Sequence, residues 1–174
     1  MKSELYVELT QLIIAVLLGI ITVYLTKIIV TQFYKSKTGQ SNPYQNTSFM
    51  IFLAGTIFSV AYMVYGINDP LHETMRLLQA KNYSVTILIL EYLKYAGLFL
   101  ILSYLLSAVL VFISYRLFAL LTSQLDEFEE ISRNNIGVAI LVCVLTIVIS
   151  LFAHHPFVGF IQNFIPYPEM PSFV

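Results

Sequence analysis

Two pairs of polar side chains recur at one spacing in an otherwise apolar chain. Asn46 and Asn135 are 89 positions apart, and Lys27 and Arg116 have the same separation. Each asparagine precedes a long apolar run, and each cation lies within the apolar run before it. In a bilayer an amide can hydrogen-bond across helices, and a cation often marks a solute path. The pattern therefore suggests polar positions that line a pore or a cavity between two repeats.

Each of these residues also fits a purely structural role. Asparagine is a preferred N-cap, so Asn46 and Asn135 could each begin a helix without any solute path. Long cationic side chains near helix ends extend their charge to the membrane surface, which accounts equally well for Lys27 and Arg116. The sequence leaves both interpretations open.

Small residues spaced four apart indicate close helix packing. The pairs are Gly55 with Ser59, and Ser103 with Ser107. Such pairs allow the backbones of membrane helices to approach. We expect them at helix contacts, either within one subunit or between the subunits of a homo-oligomer.

An acidic stretch follows the third apolar run. Its usual role is a solvated helix face, and here it would complement the positive dipole end of the next helix. It is also the best candidate for docking a basic soluble protein partner. The carboxylates are Asp126, Glu127, Glu129 and Glu130.

The remaining residues do not indicate catalysis. A glycine-rich phosphate loop, a nucleophile elbow and an HExxH motif are all missing from the sequence, so we expect neither an enzyme nor a cofactor. His72, His154 and His155 have no carboxylate or cysteine at ligand spacing, which makes a metal site or pH sensor the weaker reading. Cys143 is the single cysteine, and we expect an inert buried thiol.

The composition places the chain in a membrane. Of its 174 residues 58% are hydrophobic and 11% are charged, whereas soluble domains carry about a quarter charged residues. A soluble chain of this length could not hide so much apolar surface. The formal net charge of −1 provides no basic field for nucleic acid. The expected partners are the lipid bilayer, further copies of the chain and a soluble protein.

Four apolar runs are long enough, or nearly so, to cross a hydrocarbon core of about 30 Å as helices. Backbone groups in lipid must pair internally, which favours helices despite many β-branched residues. We therefore expect an all-α integral membrane fold. We expect the second span to end at Gly66. A short interfacial helix should follow it, with Asp69 as its N-cap and Pro70 in its first turn. A second short interfacial helix is expected around residues 125–131. The four expected spans are 10–33, 48–66, 88–121 and 136–153.

The 89-residue shift predicts a duplicated architecture. We expect one transmembrane domain over 1–174, with parallel two-helix repeats at about 10–66 and 99–155 and an interfacial tail at about 156–174. Two helices per repeat preserve chain direction, so both asparagines would lie at one membrane face. Positive residues favour the face of Lys35 and Lys37 as cytoplasmic, with both termini outside.

The residues around the two asparagines resemble those of the YjfL-like bacterial inner-membrane proteins. The resemblance covers about residues 10–153, and it implies a duplicated two-helix unit in the bacterial inner membrane. That family has no established activity, so no functional residue is implied by it. The first copy departs from its pattern at Phe49 and Met50, and the second has no glycine at the place of Gly55. The matching segments read Asn46-Thr-Ser-Phe-Met-Ile-Phe-Leu-Ala-Gly55-Thr, Arg133-Asn-Asn135-Ile-Gly-Val-Ala139-Ile and Tyr115-Arg116-Leu117-Phe118.

Two classes of function fit these observations. The favoured hypothesis is a homo-oligomeric pore or transporter for a small solute or ion, in which the matched asparagines and cations line the path. The alternative is a membrane anchor or scaffold that recruits a soluble partner into an envelope-associated assembly through the acidic stretch. A continuous polar channel would favour the pore, and a packed centre would favour the scaffold.

Overall fold

The computed structural model of the chain describes residues 2–81, 83–122 and 126–167, without the side chains of residues 2–8 and 10. Within these ranges the chain forms six α-helices and no strand, with a 3-10 turn at Pro43–Gln45. The helices are α1 (Lys2–Thr38), α2 (Thr47–Tyr65), α3 (Asn68–Ala80), α4 (Val85–Leu121), α5 (Glu127–Ser132) and α6 (Ile136–Gln162).

Four helical stretches are long and apolar enough to cross a membrane. One of them combines α2 and α3, because only a short turn at Gly66 and Ile67 separates these helices. The predicted all-α fold with four helices able to span a membrane is therefore confirmed for the described residues. The stretches are Gln11–Thr38, Thr47–Ala80, Val85–Leu121 and Ile136–Gln162.

Local sequence sets the helix ends at one end of the bundle. Asn46 and Asn135 both have extended backbone, and their side chains accept hydrogen bonds from the amides of Phe49 and Val138, so both act as N-caps. Gly39 follows α1 with φ +69, and its amide donates to the carbonyl of Lys35 at 2.9 Å. A glycine in this left-handed conformation is a common helix stop.

The predicted junction between α2 and α3 is confirmed at Gly66 and wrong at Asp69. Helix α2 ends at Tyr65 with Gly66 as its C-cap, and the right-handed backbone of Gly66, with φ −62, leads into a turn. The amides of Gly66 and Ile67 donate to the carbonyls of Met63 and Val64, both at 3.1 Å, which explains this turn. The next helix then begins at Asn68, and Asp69 lies in its first turn without serving as the cap.

Two of the long helices extend beyond their predicted ends. The first reaches Thr38, so its polar last turn continues the helix past residue 33. α6 passes through Pro156 to Gln162, so the helix extends beyond residue 153, the predicted end of the fourth span. Phe157 and Ile161 are fully buried in the apolar core, which offsets the backbone hydrogen bond lost at the proline. The last part of the predicted tail, residues 168–174, lies outside the described residues.

Helices α2 and α6 form the centre of the bundle and run parallel. Ser48 donates its backbone N–H to the side chain of Asn134 at 3.1 Å near the start of both helices. Further along, the backbone of Gly55 lies against Cys143, and that of Gly66 lies against His154. The contacts succeed one another in the same chain direction on both helices. Helix α1 packs on α2, and α4 packs on both central helices.

Two apolar clusters fill the interior. We call the end of the bundle where Asn46 and Asn135 cap their helices the asparagine end. Near it, a buried cluster forms around Ile131 of α5 and includes Tyr34, Phe49, Phe52 and Val142. At the other end, α3 turns its apolar face towards α4 and α6. The predicted apolar face of α3 is thus packed inside the bundle, through Leu71, Met75 and Leu78, which join Tyr92, Phe99, Phe157 and Ile161.

Candidate functional site

Asn46 joins the start of α2 to the end of α5. Its Oδ1 accepts the amide of Phe49 at 2.9 Å, which caps α2. Its Nδ2 donates to the carbonyls of Ile131 at 2.8 Å and Ser132 at 3.2 Å. Gln40 donates to the same Ser132 carbonyl at 3.0 Å. The Asn46 amide is therefore fully engaged in holding the two halves of the chain together.

Asn134 makes a second link that sequence reasoning missed. Its backbone has φ +62, and its Oδ1 accepts from both the amide of Ser48 at 3.1 Å and the hydroxyl of Ser48 at 3.2 Å. Asparagine tolerates this left-handed conformation better than most residues do. The sequence feature that indicates this link is the adjacent pair of asparagines, because Asn134 turns the chain and Asn135 caps α6.

Asn135 is less deeply involved than Asn46, although the two share one spacing. It caps α6 by accepting the amide of Val138 at 3.3 Å, and its Nδ2 donates to Glu130 at 2.8 Å on the exposed surface. The capping interpretation thus describes the geometry of both asparagines. The bonds across the chain halves come from Asn46 and Asn134.

The matched cations lie on the outside of the subunit. Lys27 and Arg116 are both exposed. Lys27 Nζ lies 5.3 Å from the ring centroid of Tyr44, and Arg116 Cζ lies 5.1 Å from that of Phe112, distances typical of cation–π contacts. A path inside one subunit would need these side chains to point inwards, and they point outwards.

The small residues do lie at helix contacts within the subunit. A Cβ added to Gly55 would overlap Sγ of Cys143 and lie 3.0 Å from its Cβ, so the close approach of α2 and α6 depends on this glycine. Ser103 and Ser107 are buried and donate to the carbonyls four residues earlier in α4, at 2.8 and 2.7 Å. Ser59 Oγ is buried and finds no partner among the described residues.

The acidic stretch forms a short, locally paired helix. Asp126 caps α5 by accepting the amides of Phe128 at 2.9 Å and Glu129 at 3.1 Å. Arg133 bonds to Glu129 at 2.6 Å and lies 3.6 Å from Glu130. Burial raises the pKa of the Glu127 carboxyl, and the nearby charge of Arg116 lowers it by a smaller amount. The stretch is therefore a rigid surface at the asparagine end of the bundle.

Two adjoining cavities lie between α1 and α4. The first, of about 960 Å³, opens at the asparagine end and is lined by charged side chains together with aromatic ones. The second, of about 610 Å³, continues down the bundle between apolar side chains of α1, α2 and α4. The two cavities adjoin because Phe33, Phe112 and Tyr115 line both.

The histidines do not form a metal site among the described residues. No group of three His, Cys, Asp or Glu side chains there is arranged to hold a metal ion. His154 instead packs against Tyr62, with ring centroids 4.3 Å apart and ring planes inclined at 35°. Cys143 is partly buried against Gly55.

Four helical stretches able to span the membrane, two of which pack together at the centre, define a multi-pass α-helical membrane protein. The sequence matches the model of the family described as Domain of Unknown Function (DUF350) over residues 4–155. That range is most of the chain, which therefore belongs to this family. Comparisons with curated proteins and with solved structures give no match.

Proposed function

We propose that this chain is a YjfL-like, non-enzymatic scaffold of the bacterial cytoplasmic membrane, which recruits a soluble partner to the asparagine end of its bundle. The observation that carries this proposal is the packed centre. Phe49, Phe52, Met63 and Val142 are at most 1% exposed and fill the space around α2 and α6, where a path between repeats would run. A packed interior favours a binding platform over a conduit within one subunit.

The residues that sequence spacing marked as a polar path support the same proposal. Asn46 and Asn134 use their side chains to lock the two chain halves together. Lys27 and Arg116 contact aromatic rings on the outer surface. These contacts explain matched polar positions in a protein that transports nothing through its own centre.

The proposal includes the duplicated architecture. Two parallel central helices, each begun by a capping asparagine, are what parallel two-helix repeats related by an axis along the membrane normal would produce. Such a repeat keeps both capped ends at one face. We assign that face to the cytoplasm because it carries Lys35, Lys37 and Arg133.

The docking surface in this proposal is α5 with its flanking residues. Arg133 bonds to exposed Glu129 and lies 3.6 Å from half-buried Glu130, but the four carboxylates of the acidic stretch outnumber this one cation, so the surface stays acidic. Because Asp126 and Ser132 bond to the backbone at either end of α5, the surface is rigid and needs little ordering on binding. A basic face on a soluble protein complements it.

A photo-crosslinking experiment tests the scaffold in cells. A photoreactive residue replaces Ser41, which is exposed and adjoins Gln40, the residue bonded to Ser132. We expect a cross-linked product containing a soluble protein, and we expect the double variant Glu129→Lys, Glu130→Lys to abolish it. The control is Glu73→Lys, which reverses the carboxylate of a similar surface pair with Arg76 on α3. A product that survives the double variant contradicts the proposed surface.

A homo-oligomeric pore or transporter is the second candidate, and the exposed cations favour it. Lys27 and Arg116 face outwards, so a ring of subunits could bring them to a shared axis. Much of α1 is also exposed, which leaves surface for contacts between subunits. The structure of the purified protein in lipid nanodiscs separates the two candidates. A ring with a polar axis lined by these cations would replace the scaffold proposal.

A further inference from the structure

The two adjoining cavities together match an amphiphile, because the outer cavity is lined by charged side chains and the deeper cavity by apolar ones. The deeper cavity follows α4 from Leu100 to Val111, a length of about 16 Å at 1.5 Å per residue. It opens towards the outer surface of the bundle between α1 and α4, where membrane lipid can enter from the side. Its volume of about 610 Å³ lies within the range of small-molecule sites.

The polar groups on the wall of the deeper cavity are already bonded within the protein. Tyr104 donates to the carbonyl of Thr22 at 2.9 Å, and Thr26 lies 3.4 Å from the Tyr104 hydroxyl. Thr56 and Ser107 donate to carbonyls of their own helices at 2.9 and 2.7 Å. The surface presented to a ligand is therefore apolar, which suits a hydrocarbon chain.

The outer cavity offers both signs of charge at the membrane surface. Arg116 lies five residues before the end of α4, which is about 7.5 Å along the helix axis. Lys37 lies opposite on the last turn of α1. Neither cation comes within 4 Å of a carboxylate in the described part of the chain.

Among the acidic side chains that line the outer cavity in the described part of the chain, Glu127 is half-buried, whereas Asp126 and Glu129 are exposed to solvent. Asp126 is engaged in capping α5, and Glu129 is paired with Arg133 at 2.6 Å. The charges available to a ligand are thus two cations and one half-buried carboxylate. An anion and a cation on one headgroup would satisfy all three.

We propose that this groove binds one phospholipid whose zwitterionic headgroup carries a phosphate and a primary ammonium. The phosphate lies between Arg116 and Lys37, the ammonium donates to Glu127, and an acyl chain fills the apolar cavity. A primary ammonium is specified because it can donate hydrogen bonds to a carboxylate, which a quaternary ammonium cannot. The rings able to hold a quaternary group already carry cations of the protein, Lys37 on Phe33 and Arg116 on Phe112. This site goes beyond the scaffold role and does not depend on it, although α5 contributes to both surfaces.

Native mass spectrometry of the full chain tests the site directly. The protein is released from nanodiscs that contain equal amounts of phosphatidylethanolamine, phosphatidylcholine and phosphatidylglycerol with identical acyl chains. We expect one retained lipid per chain, with phosphatidylethanolamine favoured about tenfold, the effect of one charge-assisted hydrogen bond. Equal retention of all three lipids, or retention of the anionic lipid in preference, would overturn the proposal.

Three variants assign the parts of the site. Glu127→Gln should reduce the preference for ethanolamine over choline to nearly none, and Arg116→Gln should weaken retention of every phospholipid. The substitution Ala108→Trp, on the exposed wall of the apolar cavity, should abolish retention while the helical signal stays unchanged. The control is Lys35→Gln, an exposed cation of the same helix as Lys37 that does not line either cavity. Lipid retention that survives Ala108→Trp, or a second protein copy found in the groove, contradicts the assignment.

Discussion

The contact between Gly55 and Cys143 provides a sharp test of the parallel packing of α2 and α6. A Cβ at position 55 would overlap Sγ of Cys143 and lie 3.0 Å from its Cβ and 3.1 Å from its Cα. Ordinary carbon–carbon contacts are about 3.5–4.0 Å, so the helices would have to separate by roughly 0.5–1 Å. We therefore expect Gly55→Ala to destabilise the fold by about 1–3 kcal/mol from overpacking.

A second glycine isolates this clash from the general effect of alanine. A Cβ at Gly97 in α4 would meet nothing within 4 Å, so Gly97→Ala should be neutral or stabilise the helix by up to about 1 kcal/mol. The informative quantity is the difference in unfolding free energy between the two substitutions, about 1–4 kcal/mol, which is roughly 5- to 900-fold in the folding equilibrium. Unfolding by SDS in mixed micelles, followed by far-UV circular dichroism, measures it.

Shortening the opposing residue should restore stability stepwise. Cys143→Ala removes only the overlapping sulfur, and Cys143→Gly also removes the Cβ that would lie 3.0 Å away. In the Gly55→Ala background each change should therefore be less harmful than in the wild type, with a coupling of about 1–2 kcal/mol. If Gly55→Ala is as stable as Gly97→Ala, or if neither change at Cys143 rescues it, the packing described here is wrong.

Three further predictions concern the asparagine end of the bundle and the side of the membrane on which it lies. Asn46→Ala should lower the unfolding free energy by about 2–3 kcal/mol, because it removes a helix cap and two N–H donors. Asn46→Asp should retain the cap and cost less, and equal losses of the two variants in SDS unfolding would contradict this. Asn134→Gly should keep the left-handed turn but leave the amide of Ser48 without its acceptor, which lowers the unfolding free energy by about 1–2 kcal/mol. Asn134→Ala should lower it further, because alanine is strained in the left-handed conformation. A smaller loss for Asn134→Ala than for Asn134→Gly would refute this prediction. In a background without the native cysteine, a cysteine at exposed Gln79 should react with an impermeant thiol reagent in intact cells, and one at exposed Ser41 should not; the opposite pattern would invert the orientation.

The sequence predicted the helical architecture well because its strongest signals are local. Long apolar runs require helices in lipid, and asparagines in front of two of them predicted the starts of α2 and α6 correctly. The fourth span was predicted to end at residue 153 because the apolar run is interrupted locally by His154, His155 and Pro156. The burial of Phe157 and Ile161, which depends on distant parts of the chain, outweighs this interruption.

The candidate site was harder to predict because its contacts join residues far apart in the chain. Nothing in the local sequence shows that Asn46 bonds to the carbonyl of Ile131, or that Asn134 accepts from Ser48. The equal spacing of Lys27 and Arg116 suggested a shared inner path, but spacing alone does not say whether a side chain faces the core or the surface. The 89-residue shift predicts which positions correspond in two repeats, but it does not predict what their side chains contact.

We propose that the matched polar residues hold the bundle together and that the subunit is a binding platform and not a conduit. Passive flux of ions and small solutes into proteoliposomes that contain the purified full chain tests it most directly. The account predicts a flux equal to that of protein-free vesicles, unchanged by Lys27→Gln or Arg116→Gln. A flux above that background which either substitution abolishes would contradict the account and establish the cations as part of a transport path.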